Sequence, residues 1–235
     1  MAQTPVVQLA TNVYRIPTYG DFVNSFAFIE NDGSVTLIDC GLKKAPAKIV
    51  AALAGIGKRP QDVQRIVLTH AHFDHAGGAA ELVERTSATG VDVHADDAEF
   101  VRAGTRPPLD SKAKGGALFA RMNSGKFTPV AIASEWTDGD IVDAAGGIQI
   151  IHTPGHTPGH VSLLHPSTGV LITGDTLFNV RSLRWPMSAV CSSAEQNRRS
   201  AQILADLDYS LAAFTHGPEV RDNARAAITA FLHKG

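Results

Sequence analysis

Neither sign of charge dominates this chain: 21 Lys and Arg stand against 23 Asp and Glu, a formal net charge of −2 over 235 residues. That balance removes the electrostatic footprint expected of a nucleic-acid binder, and Arg198-Arg199 is too short a basic run to restore it. Long apolar runs are missing as well. No stretch approaches the roughly 18 uninterrupted apolar residues of a membrane span, and residues 1–8 lack a basic segment followed by an apolar core. These absences point to a cytoplasmic protein with neither a membrane nor a nucleic acid as partner. Cysteine is scarce: Cys40 and Cys191 read as reduced thiols, and neither has metal-ligand spacing. The helix-borne His-Glu-x-x-His zinc motif is also absent.

What remains is an ordinary globular composition, 44% apolar and 19% charged, sufficient for a substantial core. A single domain over 1–235 is expected. Short apolar or β-branched runs predict strands at 13–16, 25–30 and 34–39, with Asn31-Asp32-Gly33 turning a hairpin. A helix over 45–53, a strand over 65–69, a helix over 77–86 and a strand over 91–94 then alternate. Residues 103–130, with Arg106-Pro107-Pro108 and Gly115-Gly116, read as an insertion or lid. Strands resume at 141–143, 148–153, 160–165 and 169–173. A helix over 193–207, a strand over 210–215 and a helix over 219–232 complete the pattern.

Chemistry concentrates after the strand at 65–69, where His70-Ala71-His72-Phe73-Asp74-His75 packs three imidazoles and a carboxylate into six positions. In an extended segment residues two apart share a face, so His70 and His72 can meet one ion there, which they could not on a helix. Asp74 and His75 can turn the other way as a helix begins, so one loop can feed two ions. Three further candidates follow or end predicted strands: His156 in Thr153-Pro-Gly-His, Asp175 in Thr173-Gly-Asp-Thr-Leu-Phe178, and His216 in Phe214-Thr-His-Gly. Gly155, Gly174 and Gly217 beside them permit close backbone approach. Imidazole and carboxylate donors suit zinc, iron or manganese. Of the other histidines, His94, His152, His165 and His233 read as ordinary surface or core residues. His160 takes the same ordinary reading, although its position four residues after His156 leaves a contact with the site open.

These motifs together resemble the metallo-β-lactamase superfamily along nearly the whole chain. The resemblance implies an α/β fold, a four-layer αββα sandwich of two mixed sheets flanked by helices. It implies that His70, His72 and His156 hold one metal, that Asp74, His75 and His216 hold the other, and that Asp175 bridges them, with Asp39 supporting the loop from behind. Two zinc ions are the implied cofactor. The implied function is dinuclear hydrolysis: a metal-bridging hydroxide attacks an ester, thioester or lactone of a small molecule, with Asp74 orienting it or shuttling its proton.

Departures narrow the branch. Metallo-β-lactamases proper carry Cys or Ser where this chain has Asp175. The segment around Asp175 is similar to the glyoxalase II-like and general hydrolase branch, but the chain stops soon after His216, where glyoxalase II adds a basic helical region. Related lactonases carry Tyr where Phe178 stands. Phe22, Phe178, Arg184 and Trp185 are the candidate pocket walls. A mono-iron persulfide dioxygenase, using the equivalents of His70, His156 and Asp175, is the alternative, ahead of a β-lactamase or a phosphodiesterase. Cys40, beside Asp39, reads as packing. Oligomeric state is left open.

Overall fold

The computed structural model describes residues 6–114, 121 and 125–234. Two sheets face each other. The first has seven strands in chain order: β1 (Val7–Ala10), β2 (Val13–Pro17), β3 (Asn24–Ile29), β4 (Val35–Ile38), β5 (Val63–Val67), β6 (Val91–His94) and β7 (Ile132–Trp136). It is antiparallel through β4 and parallel from β4 to β7. In the second, β8 (Ile141–Val142), β9 (Ile148–His152), β10 (Val161–His165) and β11 (Val170–Ile172) run antiparallel. Strand β14 (Leu211–Ala213) lies parallel to β11 at its edge. Between them in sequence, β12 (Phe178–Val180) and β13 (Ser182–Arg184) form a separate hairpin.

The period-two alternation of a strand sorts side chains into three apolar layers. Phe26, Phe28, Ile38 and Val67 from the first sheet meet Ile148, Ile150, Val161, Leu163 and Ile172 from the second. The opposite face of the first sheet, with Leu37, Ile66 and Leu68, is covered by α1 (Pro46–Gly55), α3 (Ala79–Arg85) and α4 (Ala95–Ala103). Ile151, Leu164 and Leu171 on the far face of the second sheet pack under Leu204, Ile228 and Leu232. Those residues come from the turns after α5 (Ala194–Ser200) and from α6 (Ala224–Leu232). This is the αββα sandwich.

Several element boundaries differ from the sequence expectation. Strand β7 has no sequence signature, because it is an edge strand whose middle residues face solvent and leave no apolar alternation to read. The helix expected over 193–207 stays α-helical only to Ser200 and tightens to 3₁₀ geometry over Ala201–Ala205. The last helix starts at Ala224 rather than at 219, because Val220 pairs with Ala212 and Asn223 takes φ +53. Part of the expected insertion, 115–120 and 122–124, lies outside the described residues. Of the rest, α4 runs to Ala103, Gly104 at φ +64 ends it, and a Thr105–Lys126 bridge joins the flanks. Among the described residues no helix is long and apolar enough to cross a membrane.

Candidate metal centre

Every ligand candidate leaves the C-terminal end of a strand. Strand β5 ends at Val67 and feeds the His70 to His75 loop, closed by the one-turn helix α2 (Phe73–Ala76). Strand β9 feeds His156, β11 feeds Asp175, and β14 feeds His216. The sheets are stitched at this rim by backbone hydrogen bonds, Val161 N to Thr69 O and Asn24 N to Thr215 O. Two loops from different sheets therefore arrive in fixed register. His72, still extended at φ −104 and ψ 153, keeps its ring beside that of His70, with centroids 4.7 Å apart.

The other six candidates gather around the Asp175 carboxylate, four of them directly. Its Oδ2 lies 3.1 Å from His156 Nε2, 3.3 Å from His216 Nε2 and 3.9 Å from His70 Nε2, and its Oδ1 lies 3.4 Å from His75 Nε2. On one side His72 Nδ1 is 2.9 Å from His156 Nε2. On the other, Asp74 Oδ2 is 3.6 Å from His216 Nε2 and 3.9 Å from His75 Nε2. Ligand atoms of His70, His72 and His156, of His70, His75 and Asp175, and of Asp74, His75 and His216 each fall within 4.8 Å of one another. The first and third of these groups hold the residues expected at the two ions, and the second runs between them.

Partners behind the rings decide which nitrogen is free. Asp39, at φ +57, accepts from Thr69 N at 2.8 Å and from Thr69 Oγ1 at 2.8 Å. With its proton committed to Asp39, Thr69 Oγ1 accepts from His70 Nδ1 at 3.0 Å. Asp39 Oδ2 also accepts from His75 Nδ1 at 2.8 Å. His216 Nδ1 donates to the Phe22 carbonyl, and His156 Nδ1 faces Cys191 Sγ at 3.6 Å. In each of these rings Nε2 points inward and would present its lone pair to a bound cation, the arrangement that outer partners impose on metal-binding histidines.

Asp97 escapes sequence reasoning. Its buried carboxylate accepts from Ala71 N at 2.8 Å, Thr157 Oγ1 at 2.7 Å and Gly159 N at 2.7 Å, clamping the β5 loop to the β9 loop. Its only local signal is an acid in the first turn of α4, a common feature of helix starts. His160 does touch the centre, but through its surroundings: its Nε2 accepts from Asp175 N at 2.7 Å. Gly174, at φ +54, is required there, because a Cβ would fall 2.5 Å from that same nitrogen.

Electrostatics test whether a cation fits. Among the described residues, His70 Nε2 and His75 Nε2 are buried with no hydrogen-bond partner, which is costly unless something else satisfies them. Burial holds His70 and His72 well below the usual imidazole range, so both are neutral donors. For His75 and His156 burial is the largest single influence and opposes charge, but Asp175 with Asp39 and Asp74 around His75, and Asp175 with Cys191 around His156, together outweigh it and raise them to about 9 and about 10. Asp175 in turn is held well below the carboxylate range, burial being overcome by His216, His75 and His156. Positive charge is therefore wanted at this point, and the donor set suits divalent ions.

A cleft of about 340 Å³ opens over the set, with His72, Asp74, His156, Asp175 and His216 at its floor. Phe22 and Phe178 line it; Arg184 and Trp185 do not. Arg184 is exposed on β13, and Trp185 packs on Phe231 with centroids 5.1 Å apart and lies beneath Arg198 at 5.7 Å, so its ring belongs to the outer apolar layer. Cys40 is fully buried, its thiol pushed well up by burial and by Asp39, and is inert.

Residues 19–216 match the family model described as the metallo-beta-lactamase superfamily. Among curated proteins, the chain is 30% identical over 199 residues to a probable metallo-hydrolase, YybB, of Bacillus subtilis (strain 168), covering 83% of this chain and 81% of that one. It is 31% identical over 172 residues to a hydroxyacylglutathione hydrolase of Fuscovulum blasticum, covering 72% and 53%. Among solved structures, the metallo-beta-lactamase family protein TTHA1429 of Thermus thermophilus superposes with a TM-score of 0.74 at 25% identity, covering 97% of this chain and 80% of that one. The Rm3 metallo-beta-lactamase gives 0.73 at 22% identity, covering 97% and 91%, a likeness of fold alone.

Proposed function

The chain belongs to the metallo-beta-lactamase superfamily, and from that premise we propose that it is a dinuclear, zinc-dependent hydrolase cleaving an ester, thioester or lactone of a small molecule. The observation that carries the reading is the gathering of six donors around the Asp175 carboxylate, with the inner nitrogens freed by partners behind the rings. His70, His72 and His156 would hold one ion, Asp74, His75 and His216 the other, and Asp175 would be shared. Bound there, the ions supply a water of lowered pKa and an electrophilic contact for a carbonyl oxygen.

The protein's own part is positioning. Asp74 is the one donor with an appreciably open side chain, 22% exposed against 0% for His75. It is the group able to accept a proton from a water entering the cleft. Asp39, Thr69, Cys191 and the Phe22 carbonyl hold the rings still, so little reorganisation accompanies the reaction. The walls are mostly apolar, which limits competing water. The similarity to a hydroxyacylglutathione hydrolase supports an acyl-transfer substrate.

The test is elemental analysis of protein purified without added metal, paired with a screen of thioesters, lactones and aryl esters, and with β-lactams as a control. Two divalent ions per chain and chelator-sensitive hydrolysis are expected. A single iron per chain, with oxygen consumed on a persulfide and no hydrolysis, rejects the proposal.

A further inference from the structure

Exposed large apolar side chains are few among the described residues: Tyr19, Phe22, Ile141, Met187 and Ile203. Three of them, Tyr19 at 62%, Phe22 at 59% and Met187 at 59%, stand around the mouth of the metal cleft. Single exposed hydrophobes need no explanation, but a cluster rimming a concave site does.

The loop that presents Tyr19 and Phe22 is tied down on every side. Thr18 N and Thr18 Oγ1 both donate to Val23 O, at 2.8 and 2.9 Å, and Lys48 Nζ donates to Thr18 O at 2.7 Å. The buried Arg15 guanidinium pairs with Asp21 at 2.6 Å and with Glu219 at 3.0 Å. Gly217 N donates to Asp21 O at 2.7 Å, and His216 Nδ1 donates to the carbonyl of Phe22 itself. The backbone that carries the Phe22 ring is thus bonded to a candidate metal ligand. A backbone held this firmly, presenting an apolar ring to water beside the ligand set, is a prepared surface rather than a loose end.

Outside the ligand set, the other lining residues include Leu42, Phe73 and Phe178, and Arg106 is the one charged residue among those described. The floor of the cleft is the ligand set itself, so what fills the cleft is whatever reacts there. Resting on the hydrolase reading, we infer that the substrate carries an apolar group, alkyl or aryl, next to the scissile carbonyl, and that Phe22 and Met187 clamp it from opposite parts of the chain. At about 340 Å³ the cleft lies at the small end of ligand pockets, which suits a short chain or one ring.

The test uses zinc-loaded full-length protein and p-nitrophenyl acetate, butanoate and hexanoate. Burying a methylene is worth about fourfold in affinity, so kcat/KM is expected to rise at least about tenfold from acetate to hexanoate. Phe22→Ser and Met187→Ser should each flatten that slope. Ile141→Ser, equally exposed but outside the cleft, should not. Calorimetry of hexanoate against acetate on the same protein gives a readout free of turnover, and circular dichroism checks that the variants fold. Turnover that does not vary with chain length overturns the clamp and leaves the hydrolase reading standing. Turnover of no ester rejects ester hydrolysis. The clamp then survives only if hexanoate still binds more tightly than acetate and Phe22→Ser abolishes the difference; equal binding removes it too.

Discussion

The two halves of the candidate centre are built differently. The His70, His72 and His156 side is all imidazole: the three rings are buried, and behind His70 and His156 stand a hydroxyl and a thiol. The Asp74, His75 and His216 side adds a carboxylate open to the cleft, and its rings lean on an anion, Asp39, and on the Phe22 carbonyl. A second negative charge and strong acceptors favour cation binding on the open side. Burial and rings held from behind characterise the other. The difference implies a division of labour in which one side holds and the other meets water and substrate.

Removing what the two sides share should have the largest effect. Asp175→Ala takes the one group touching both sides. Metal affinity and hydrolysis are expected to fall together by more than about 100-fold, beyond the usual cost of losing an outer partner. Unchanged metal stoichiometry and rate would deny Asp175 the bridging role.

Asp39→Ala comes next. It strips the acceptor from His75 Nδ1 and from Thr69, which in turn positions His70. A loss of roughly 10- to 100-fold in metal affinity is expected, and competitive titration with a chelator measures it. Equal affinity in wild type and variant would mean the rings are oriented by packing alone.

Acidity separates the metal-free from the loaded protein. Without metal, His75 and His156 titrate near 9 and 10, above the unfolded value of about 6.5. Their stabilisation is complete below that unfolded value and is lost as pH rises through 9 to 10. Asp175, held low, contributes above about pH 4 and is lost as pH falls through its lowered value. Metal binding requires deprotonated imidazoles. Tm of the metal-free chain should therefore drop between pH 7 and 10, whereas that of the loaded chain should not. Parallel curves would remove the electrostatic account.

The smallest effect is expected on the buried side. Cys191→Ala removes the weak sulfur acceptor behind His156, and a loss of under about tenfold in affinity should follow. Cobalt absorption spectra of variant and wild type would report whether the ring has turned. A loss as large as that of Asp39→Ala would erase the contrast between the sides.

Chain order alone exposed much of this centre. His70, His72, Asp74 and His75 are legible because extended-strand periodicity and a following turn make their directions predictable over six residues. His156, Asp175 and His216 are visible as strand-end residues, and Phe22 as a wall. Asp97 and Cys191 cannot be read this way, since their roles come from lying opposite Ala71, Thr157, Gly159 and His156 in space. Proximity in sequence to Phe178 puts Arg184 and Trp185 in the pocket, and that expectation fails. The β12–β13 hairpin leaves Arg184 exposed and away from the cleft, and the segment beyond it carries Trp185 to the outer layer.

The sequence by itself indicated the candidate donors and the alternation of strand and helix, because ligand chemistry and hydrophobic periodicity are local properties; the sandwich class came from the resemblance of its motifs to a known family. Only the tertiary structure decided which nitrogen of each ring faces inward, how the two loops are clamped together, and which apolar residues stand over the site. Those depend on contacts between residues far apart in the chain, such as His216 with Phe22, and such contacts exist only once the two sheets have packed.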